Sequence, residues 1–251
     1  MPRKSRTKAQ ETIDPLSVEE DRSLDGAVRT SSGATFTPPE HSRATRRITL
    51  RNRSTFRGAL VDHMRGREFV YESKLERDFL EIVLADVDVV EVDEQPPAVS
   101  YRDRNGVLRT HTFDALVVVK GGRRVAVDVK PRQKVEKSGI RETQRLIRDQ
   151  VGTAFADVYI VRTEDHMHSA DVLDARLVSR ARRLPDPDAD IAMRELLRHM
   201  HGDCRLRDLV DAAGSGAKAF NAAVRLIGAR IIEVRDETRI SLDSVVRPAI
   251  I

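Results

Sequence analysis

Three apolar runs in the middle of the chain have the pattern of β-strands. They cover residues 98–101, 107–119 and 123–130, and valine is frequent in the second and third. Glycine-containing turns separate the runs, and the second turn is Gly121-Gly122. Because such turns join antiparallel strands, we predict a three-stranded meander in this part of the chain.

Residues 71–84 have the period of an amphipathic helix. Successive residues lie about 100° apart around a helix axis. One face then collects the apolar residues Leu75, Phe79, Leu80, Ile82 and Val83. Glu76 falls in the middle of that face and Glu72 beside it. The charged residues off this face are Lys74, Arg77, Asp78 and Glu81. A capping box, Ser73-x-x-Glu76, explains Glu76 structurally and is compatible with a catalytic role.

The remaining patterns divide the chain into four parts. A helix at residues 138–150, a buried strand at 158–161 and a helix at 171–183 complete an α/β domain. We predict a mostly disordered segment at 1–45, this α/β domain at 46–183, a linker at 184–188 and a second domain at 189–251.

The predicted second domain has the order of elements of a winged helix. Its helical patterns cover residues 189–201, 205–213 and 217–227, and short strands follow at 230–234 and 239–242. Winged helices bind DNA through the third helix and the wing, and they also serve as protein-docking modules. DNA binding and protein docking are both possible functions of this domain.

Composition narrows the class of protein. The pI is about 9.4 with a net charge of +4, and arginine supplies 36 of the 44 basic residues. Arginine pairs well with phosphate, which favours a polyanionic partner, although a GC-rich genome gives the same bias. The single cysteine, Cys204, excludes an internal disulfide framework. Because the chain has no long apolar run, we expect a cytoplasmic, nucleoid-associated protein and no membrane partner.

The candidate chemistry lies in the predicted strands. Asp128 and Lys130 point to the same face of a valine-rich run, and Asp114 lies 14 residues upstream across the glycine turn. A carboxylate among valines needs a cation, either a lysine or a metal ion. With Glu76, these acids form an oxygen-rich set that suits Mg²⁺ or Mn²⁺ better than zinc. A cross-strand salt bridge is the alternative explanation.

The order Glu, Asp, Asp-x-Lys resembles the PD-(D/E)XK nuclease superfamily. Within it, the chain is similar to the TnsA-type endonuclease subunit of heteromeric transposases. The similarity covers residues 46 to about 165, and its most specific block is residues 71–80. Further matching segments are residues 51–58, 94–96, 111–114 and 128–131. One departure is Phe113, where the superfamily usually has proline.

The resemblance implies a fold, a reaction and partners. The fold is a restriction-endonuclease-like mixed sheet flanked by helices, followed by a small winged-helix-like domain. Glu76, Asp114, Asp128 and the Val129 carbonyl would bind Mg²⁺ (or Mn²⁺), and Lys130 would be the catalytic lysine. The reaction would be cleavage of one strand, at the 5′ ends, of double-stranded DNA at transposon ends. An integrase-type transposase subunit and a separate AAA ATPase regulator would be the partners.

Further residues are candidates by position alone. Seven arginines against one acid between residues 46 and 67 suit phosphate contacts, although a solvated basic face would look the same. The DNA-binding candidates are Arg51, Arg53, Arg57, Lys218, Asn221, Arg225, Arg235 and Arg239. The candidates for the edge of the active site are Glu72, Gln95 and Gln144.

Two rival functions remain. A stand-alone PD-(D/E)XK nuclease for defence or repair would cut DNA without a partner. A DNA-binding adaptor would have kept the fold and lost catalysis. A zinc site formed by His199, His201 and Cys204 is disfavoured because no fourth ligand has suitable spacing.

Overall fold

The computed structural model describes residues 28–29, 35–45, 56–214, 216–236 and 239–249. The chain divides into two compact units, Met1–Pro39 and Glu40–Ile251. In the first unit, strand β1 (Val28–Arg29) pairs antiparallel with strand β2 (Thr35–Phe36). The rest of the predicted disordered segment before residue 35 lies outside the described residues.

The second unit begins with a mixed α/β arrangement. In chain order its elements are β3 (Gly58–Asp62), β4 (Arg67–Tyr71), α1 (Lys74–Ala85), β5 (Val89–Glu94), β6 (Val99–Arg102), β7 (Leu108–His111), β8 (Ala115–Val119), β9 (Arg124–Val129), α2 (Arg132–Ser138), α3 (Ile140–Gln150), β10 (Val158–Arg162) and α4 (Ser169–Arg182). The coarse prediction of an α/β fold is confirmed, and helix α2 was not predicted.

A four-stranded sheet lies at the centre, in the order β10-β9-β8-β5. β9 is parallel to β10 and antiparallel to β8. One face of the sheet contributes Val117 and Val127 to a core with Phe79 and Leu80 of α1. The other face contributes Ala126, which packs in a second cluster with Ile147 of α3. The apolar character of β9 follows from this burial on both faces, which is typical of interior strands.

The predicted three-stranded meander is wrong in one respect. The run at residues 107–119 is broken into β7 and β8, so that β6 and β7 form a separate two-stranded sheet while β8 and β9 belong to the central sheet. Phe113 lies at the break and is fully buried, stacked on Phe155 at a ring distance of 5.3 Å. Burial of this ring turns the chain between the two strands.

Helix α1 differs from the amphipathic prediction at Asp78. This residue was expected off the apolar face, but it is 5% exposed. Its carboxylate receives hydrogen bonds from Lys74 at 2.6 Å, Arg77 at 2.7 Å and Arg176 of α4 at 3.3 Å. Although burial opposes ionisation, the bonds from Lys74 and Arg77 lower the pKa of Asp78. The buried acid therefore joins α1 to α4.

Residues 40–45, which were expected to be disordered, are bonded to the rest of the second unit. The backbone of Glu40 exchanges hydrogen bonds with Gly66 and Glu68, and Ser42 donates to Glu94 at 2.5 Å. The amide and hydroxyl of Thr45 both donate to the carbonyl of Gln95. These contacts bring the chain to the edge of the central sheet.

Three further helices and a small sheet complete the second unit. They are α5 (Pro187–His199), β11 (Cys204–Arg205), α6 (Leu206–Ala212), α7 (Ala217–Gly228), β12 (Ile232–Val234) and β13 (Val245–Pro248). The three helices match the prediction, and the sheet has the order β11-β13-β12. The strand predicted at 239–242 is wrong, because the described residues there form turns and β13 begins at Val245. No helix in the described part of the chain is long and apolar enough to cross a membrane.

The predicted linker at 184–188 joins helices that share one core. Asp186 caps α5 by accepting a hydrogen bond from the amide of Ala189. Val178 of α4 and Met193 of α5 belong to the same buried cluster. Gly228 of α7 lies so close to α4 that a Cβ there would be 2.4 Å from Val178. The elements on either side of residues 184–188 therefore pack as one body.

This shared core predicts a single unfolding transition. The change Met193→Ala removes a fully buried side chain of α5 and should lower the free energy of unfolding by about 2–5 kcal/mol. All three tyrosines lie before α4, so tyrosine fluorescence reports on the first part of the unit alone. We expect urea to unfold the variant earlier by tyrosine fluorescence and by far-UV circular dichroism alike.

The matched control is Ile191→Ala in the same helix, where the side chain is 66% exposed and its loss should have little effect. A tyrosine transition that stays at the wild-type urea concentration in Met193→Ala would contradict the shared core.

Candidate active site

Asp128 is a carboxylate that is completely buried in the central sheet. His111 at the end of β7 lies with its Nε2 2.9 Å from Oδ1 of Asp128. The Nε2 of Gln144 on α3 donates to Oδ2 of Asp128 at 2.7 Å and to the carbonyl of Ile160 at 2.9 Å. A buried carboxylate requires such partners, since an unsatisfied one costs several kcal/mol. Strand β9, strand β7 and helix α3 are thus joined at one acid.

Asp114 lies next to Asp128 on the neighbouring strand. Ala115 of β8 pairs with Val127 of β9. Asp114, which directly precedes β8, therefore lies opposite Asp128 of β9. The amide of Asp114 donates to the carbonyl of Val127, and its carbonyl accepts from the amide of Gln95. These two bonds fix the position of the Asp114 backbone, from which the carboxylate extends.

The Asp114 carboxylate is held on one oxygen. Its Oδ2 accepts from the amide of Val129 at 2.7 Å and lies 3.5 Å from Nζ of Lys130. Burial raises the pKa of Asp114 to about 6, the charge of Lys130 opposes the shift, and the acids Glu76 and Asp128 add to it. Asp114, Glu76, Asp128 and Lys130 therefore belong to one electrostatic cluster.

Glu76 lies on the first turn of α1 and is bonded to the N-cap residue Ser73. Ser73 accepts a hydrogen bond from the amide of Glu76 at 3.1 Å. The carboxylate of Glu76 accepts from the amide of Glu72 at 2.8 Å and from the hydroxyl of Ser73 at 3.0 Å. The Ser73 half of the predicted capping box is therefore present, whereas the Glu76 carboxylate bonds to the amide of Glu72 rather than to the amide of Ser73. Both oxygens of the Glu76 carboxylate are in use.

The predicted metal ligands do not form a closed cage. Among the described residues, no three His, Cys, Asp or Glu side chains are grouped closely enough to hold a metal ion. Glu76 is engaged by its helix cap and Asp128 by His111 and Gln144. Asp114 is the acid of the cluster that has only one oxygen bonded by the described residues.

The three candidates for the site edge have different surroundings. Gln144 contacts Asp128 directly, as described above. Gln95 is 6% exposed, has a positive φ of 45°, and its Oε1 has no hydrogen-bond partner in the described part of the chain. Gln95 therefore combines a costly backbone conformation with a buried polar atom that lacks a partner, and its backbone amide bonds to the carbonyl of Asp114. Glu72 is half-buried, with Arg57 3.8 Å from its carboxylate.

The DNA-binding candidates are spread over several places. Arg51 and Arg53 lie outside the described residues, and Arg57 faces Glu72 near the start of α1. Two other arginines of that basic stretch point inward. Arg65 bonds to Asp62 and to two backbone carbonyls, and Arg67 is 3% exposed and bonded to Glu94. The basic stretch is therefore partly structural.

Arg225 on α7 differs from its predicted role. All three guanidinium nitrogens bond within the protein, to the carboxylate of Asp190 and to the carbonyls of Ala181 and Leu184. Lys218, on the same helix, pairs with Asp186 at 3.1 Å. These bonds hold α7 against the start of α5, so Arg225 is a packing residue and not a free DNA contact.

The other three candidates of the C-terminal part are nearer to solvent. Asn221 is half-buried, and Arg239 is exposed. Arg235 is exposed and bonds to Glu233 at 2.8 Å.

His111 lies in the candidate site, and the sequence analysis assigned it no role. It appeared only as part of the segment at residues 111–114, with no role assigned to it. Two features could have indicated it. Asp128 lies in an apolar strand and needs a hydrogen-bond partner, and a histidine stands at the end of the preceding hairpin. The partner could not be chosen from sequence because 17 residues separate the two side chains.

Comparison with known proteins does not assign the chain. A scan of protein-family models and a search of curated proteins each find no match to it.

The raised pKa of Asp114 predicts how stability depends on pH. An acid whose pKa is higher in the folded state than its usual 3.8 contributes a destabilisation that grows as pH rises from about 4 to 6 and is complete above that range. Asp114→Asn removes this effect and still accepts the bond from Val129. In the presence of EDTA we expect the variant to be more stable than wild type at pH 8, by about 1–3 kcal/mol, with a much smaller difference at pH 4.

Urea unfolding at the two pH values measures this difference. The control Asp165→Asn changes a half-exposed acid that pairs with Arg132. Equal stability of Asp114→Asn and wild type at both pH values would rule out a strained Asp114.

Proposed function

We propose that the chain is the metal-dependent DNA endonuclease subunit of a heteromeric transposase, of the TnsA type within the PD-(D/E)XK superfamily. Its substrate would be double-stranded DNA at transposon ends, of which it would cut one strand at the 5′ ends. The observation that carries the proposal is the cluster of Glu76, Asp114, Asp128 and Lys130 at one end of β8 and β9.

The order of elements supports this proposal. A helix with an acid on its first turn precedes a strand hairpin that ends in Asp-x-Lys, and a further helix leads to a parallel strand. This is the order expected for a restriction-endonuclease-like core. The order α5-β11-α6-α7-β12-β13, with β13 between β11 and β12, is likewise that of a winged helix.

The donor chemistry fits a hard divalent cation. Three carboxylates and the carbonyl of Val129 are oxygen ligands, which Mg²⁺ and Mn²⁺ prefer. Burial is the main cause of the raised pKa of Asp114, and the charge of Lys130 opposes that shift without cancelling it. Asp114, Glu76, Asp128 and the carbonyl of Val129 are the residues that would hold the ion.

Each residue in or next to the cluster would have a separate role in the reaction. A bound divalent cation would polarise the scissile phosphate and lower the pKa of a water molecule. Lys130 brings a positive charge to within 3.5 Å of Asp114, where it can stabilise negative charge that develops on the phosphate. The amide of Val129 orients Asp114, and Gln144 and His111 hold Asp128.

The C-terminal part would dock a partner protein. Lys218 and Arg225, which were candidates for a recognition helix, are neutralised by Asp186 and Asp190 of the same unit. This pairing favours protein docking over DNA reading for α7. The partners would be an integrase-type transposase subunit and an AAA ATPase regulator, and the complex would work in the cytoplasm at the nucleoid.

A non-catalytic adaptor is the second candidate function, and one observation favours it. Each acid of the cluster already has partners within the protein, so that the fold accounts for it without a metal ion. Metal binding therefore decides between the two functions.

Calorimetric titration with Mn²⁺ tests the proposal first. Wild type should take up the ion saturably, and Asp114→Ala and Asp128→Ala should each abolish that uptake because each removes a ligand. Asp165→Ala, a change of a half-exposed acid outside the cluster, should bind as wild type does. Wild type without uptake, even with duplex DNA present, would establish the adaptor instead.

Lys130→Ala separates binding from chemistry. Since Lys130 is not a metal ligand, the variant should keep Mn²⁺ uptake while strand nicking falls by about 10²-fold or more. The assay needs supercoiled DNA carrying transposon ends, together with the partner transposase. Nicking that is equal in the variant and in wild type would remove Lys130 from the mechanism.

A further inference from the structure

A charged cleft, separate from the candidate active site, lies between the β3–β4 hairpin, the C-terminal half of α1 and helix α4. Its volume is about 410 Å³, and its apolar floor includes Leu60 and Leu84. Four arginines line it, namely Arg176, Arg180 and Arg182 of α4 and Arg183 directly after the helix. We call it the α4 arginine cleft.

The acids of the α4 arginine cleft are already neutralised. Asp62 is bonded to Arg65 at 2.5 Å, and Glu81 is bonded to Arg176 at 3.0 Å. The positive charges of Arg180, Arg182 and Arg183 are therefore left without a carboxylate from the cleft.

Two of these guanidinium groups face solvent with no protein partner. Arg180 and Arg183 are exposed, and neither side chain forms a hydrogen bond or an ion pair with the described part of the chain. Arg182 is half-buried and donates to the carbonyl of Gly228 at 3.1 Å. Burial lowers the pKa of Arg182, which means that its charge is poorly solvated where it stands.

The end of a helix explains only part of this cluster. Cations near a helix C-terminus are favoured by the helix dipole, and Arg180 and Arg182 lie in the last turn of α4. Like charges three or four residues apart repel one another, however, and the unpaired Arg180 and Arg183 have this spacing. An anion between them would relieve the repulsion, and guanidinium groups match the oxygens of phosphate particularly well.

We propose that the α4 arginine cleft binds the phosphodiester backbone of duplex DNA, away from the scissile phosphate. The inference rests on the proposed function, since it takes DNA as the ligand. The cleft meets α1 at Glu81 and Leu84, whereas the candidate active site meets it at Glu76. At a helix rise of about 1.5 Å per residue, these positions are roughly 8–12 Å apart along the axis. A duplex bound in the cleft and at the active site together would have its register fixed by the cleft.

Binding of a labelled duplex, measured by fluorescence anisotropy in EDTA over a series of salt concentrations, tests this. Arg180→Ala/Arg183→Ala should weaken binding and reduce the slope of log K against log salt by about 1 for each lost phosphate contact, about 2 in all. The control Arg123→Ala/Arg194→Ala removes the same charge from two exposed arginines elsewhere, in the β8–β9 turn and on α5. It should leave the slope close to that of wild type.

Three results would overturn the proposal. Equal slopes for the two double variants would mean that net charge alone matters, and metal uptake and nicking would still stand for the proposed function. If the cleft variant lost affinity for polyglutamate but not for DNA, the ligand would be an acidic protein segment. If wild type bound no duplex at low salt, the cleft and the proposed substrate would both be excluded.

Discussion

The buried carboxylate of Asp128 is the constraint on which the centre of this structure depends. It sits on β9 with valines on either side, has no exposure to solvent, and requires hydrogen-bond donors from elsewhere in the fold. His111 approaches from one hairpin, and Gln144 approaches from α3, which it also joins to the carbonyl of Ile160. The acid thereby fixes β7, α3 and β10 relative to β9, because each must be in place before burial is tolerable.

The same constraint creates the asymmetry within the acidic cluster. Asp128 and Glu76 are satisfied by the protein, one through side chains and one through a helix cap, and they contribute charge to their surroundings. Asp114 has a pKa that is raised chiefly by burial, and the charges of Glu76 and Asp128 add to that shift. It is therefore the position where a cation would gain most, and the neighbouring Lys130 and Val129 give it an ammonium, an amide and a carbonyl within reach. The described residues bond both oxygens of Glu76 and of Asp128, and they bond only one oxygen of Asp114.

What the sequence could predict was set by the distance over which each interaction acts. Helix α1, strands β9 and β10, and helices α5 to α7 follow from local apolar periods, and their positions agree with the structure. The capping role of Glu76 was also local. The burial of Asp78 and the inward turn of Arg225 depend on partners on other helices, Arg176 and Asp190, which no local period indicates. The break at Phe113 likewise depends on Phe155, far along the chain.

The arginines illustrate why composition is a weaker guide than position. Arg65, Arg67 and Arg225 donate hydrogen bonds to carbonyls or carboxylates within the protein. A high pI therefore does not measure how much positive charge is accessible to a ligand. Arg180 and Arg183 differ because the described acids near them are already paired with other arginines. Charge that the fold leaves unneutralised in one cleft is a local property, and an anion responds to local charge within about one Debye length, roughly 8–10 Å. The unpaired Arg180 and Arg183 are therefore a better guide to anion binding than the paired arginines in the rest of the unit.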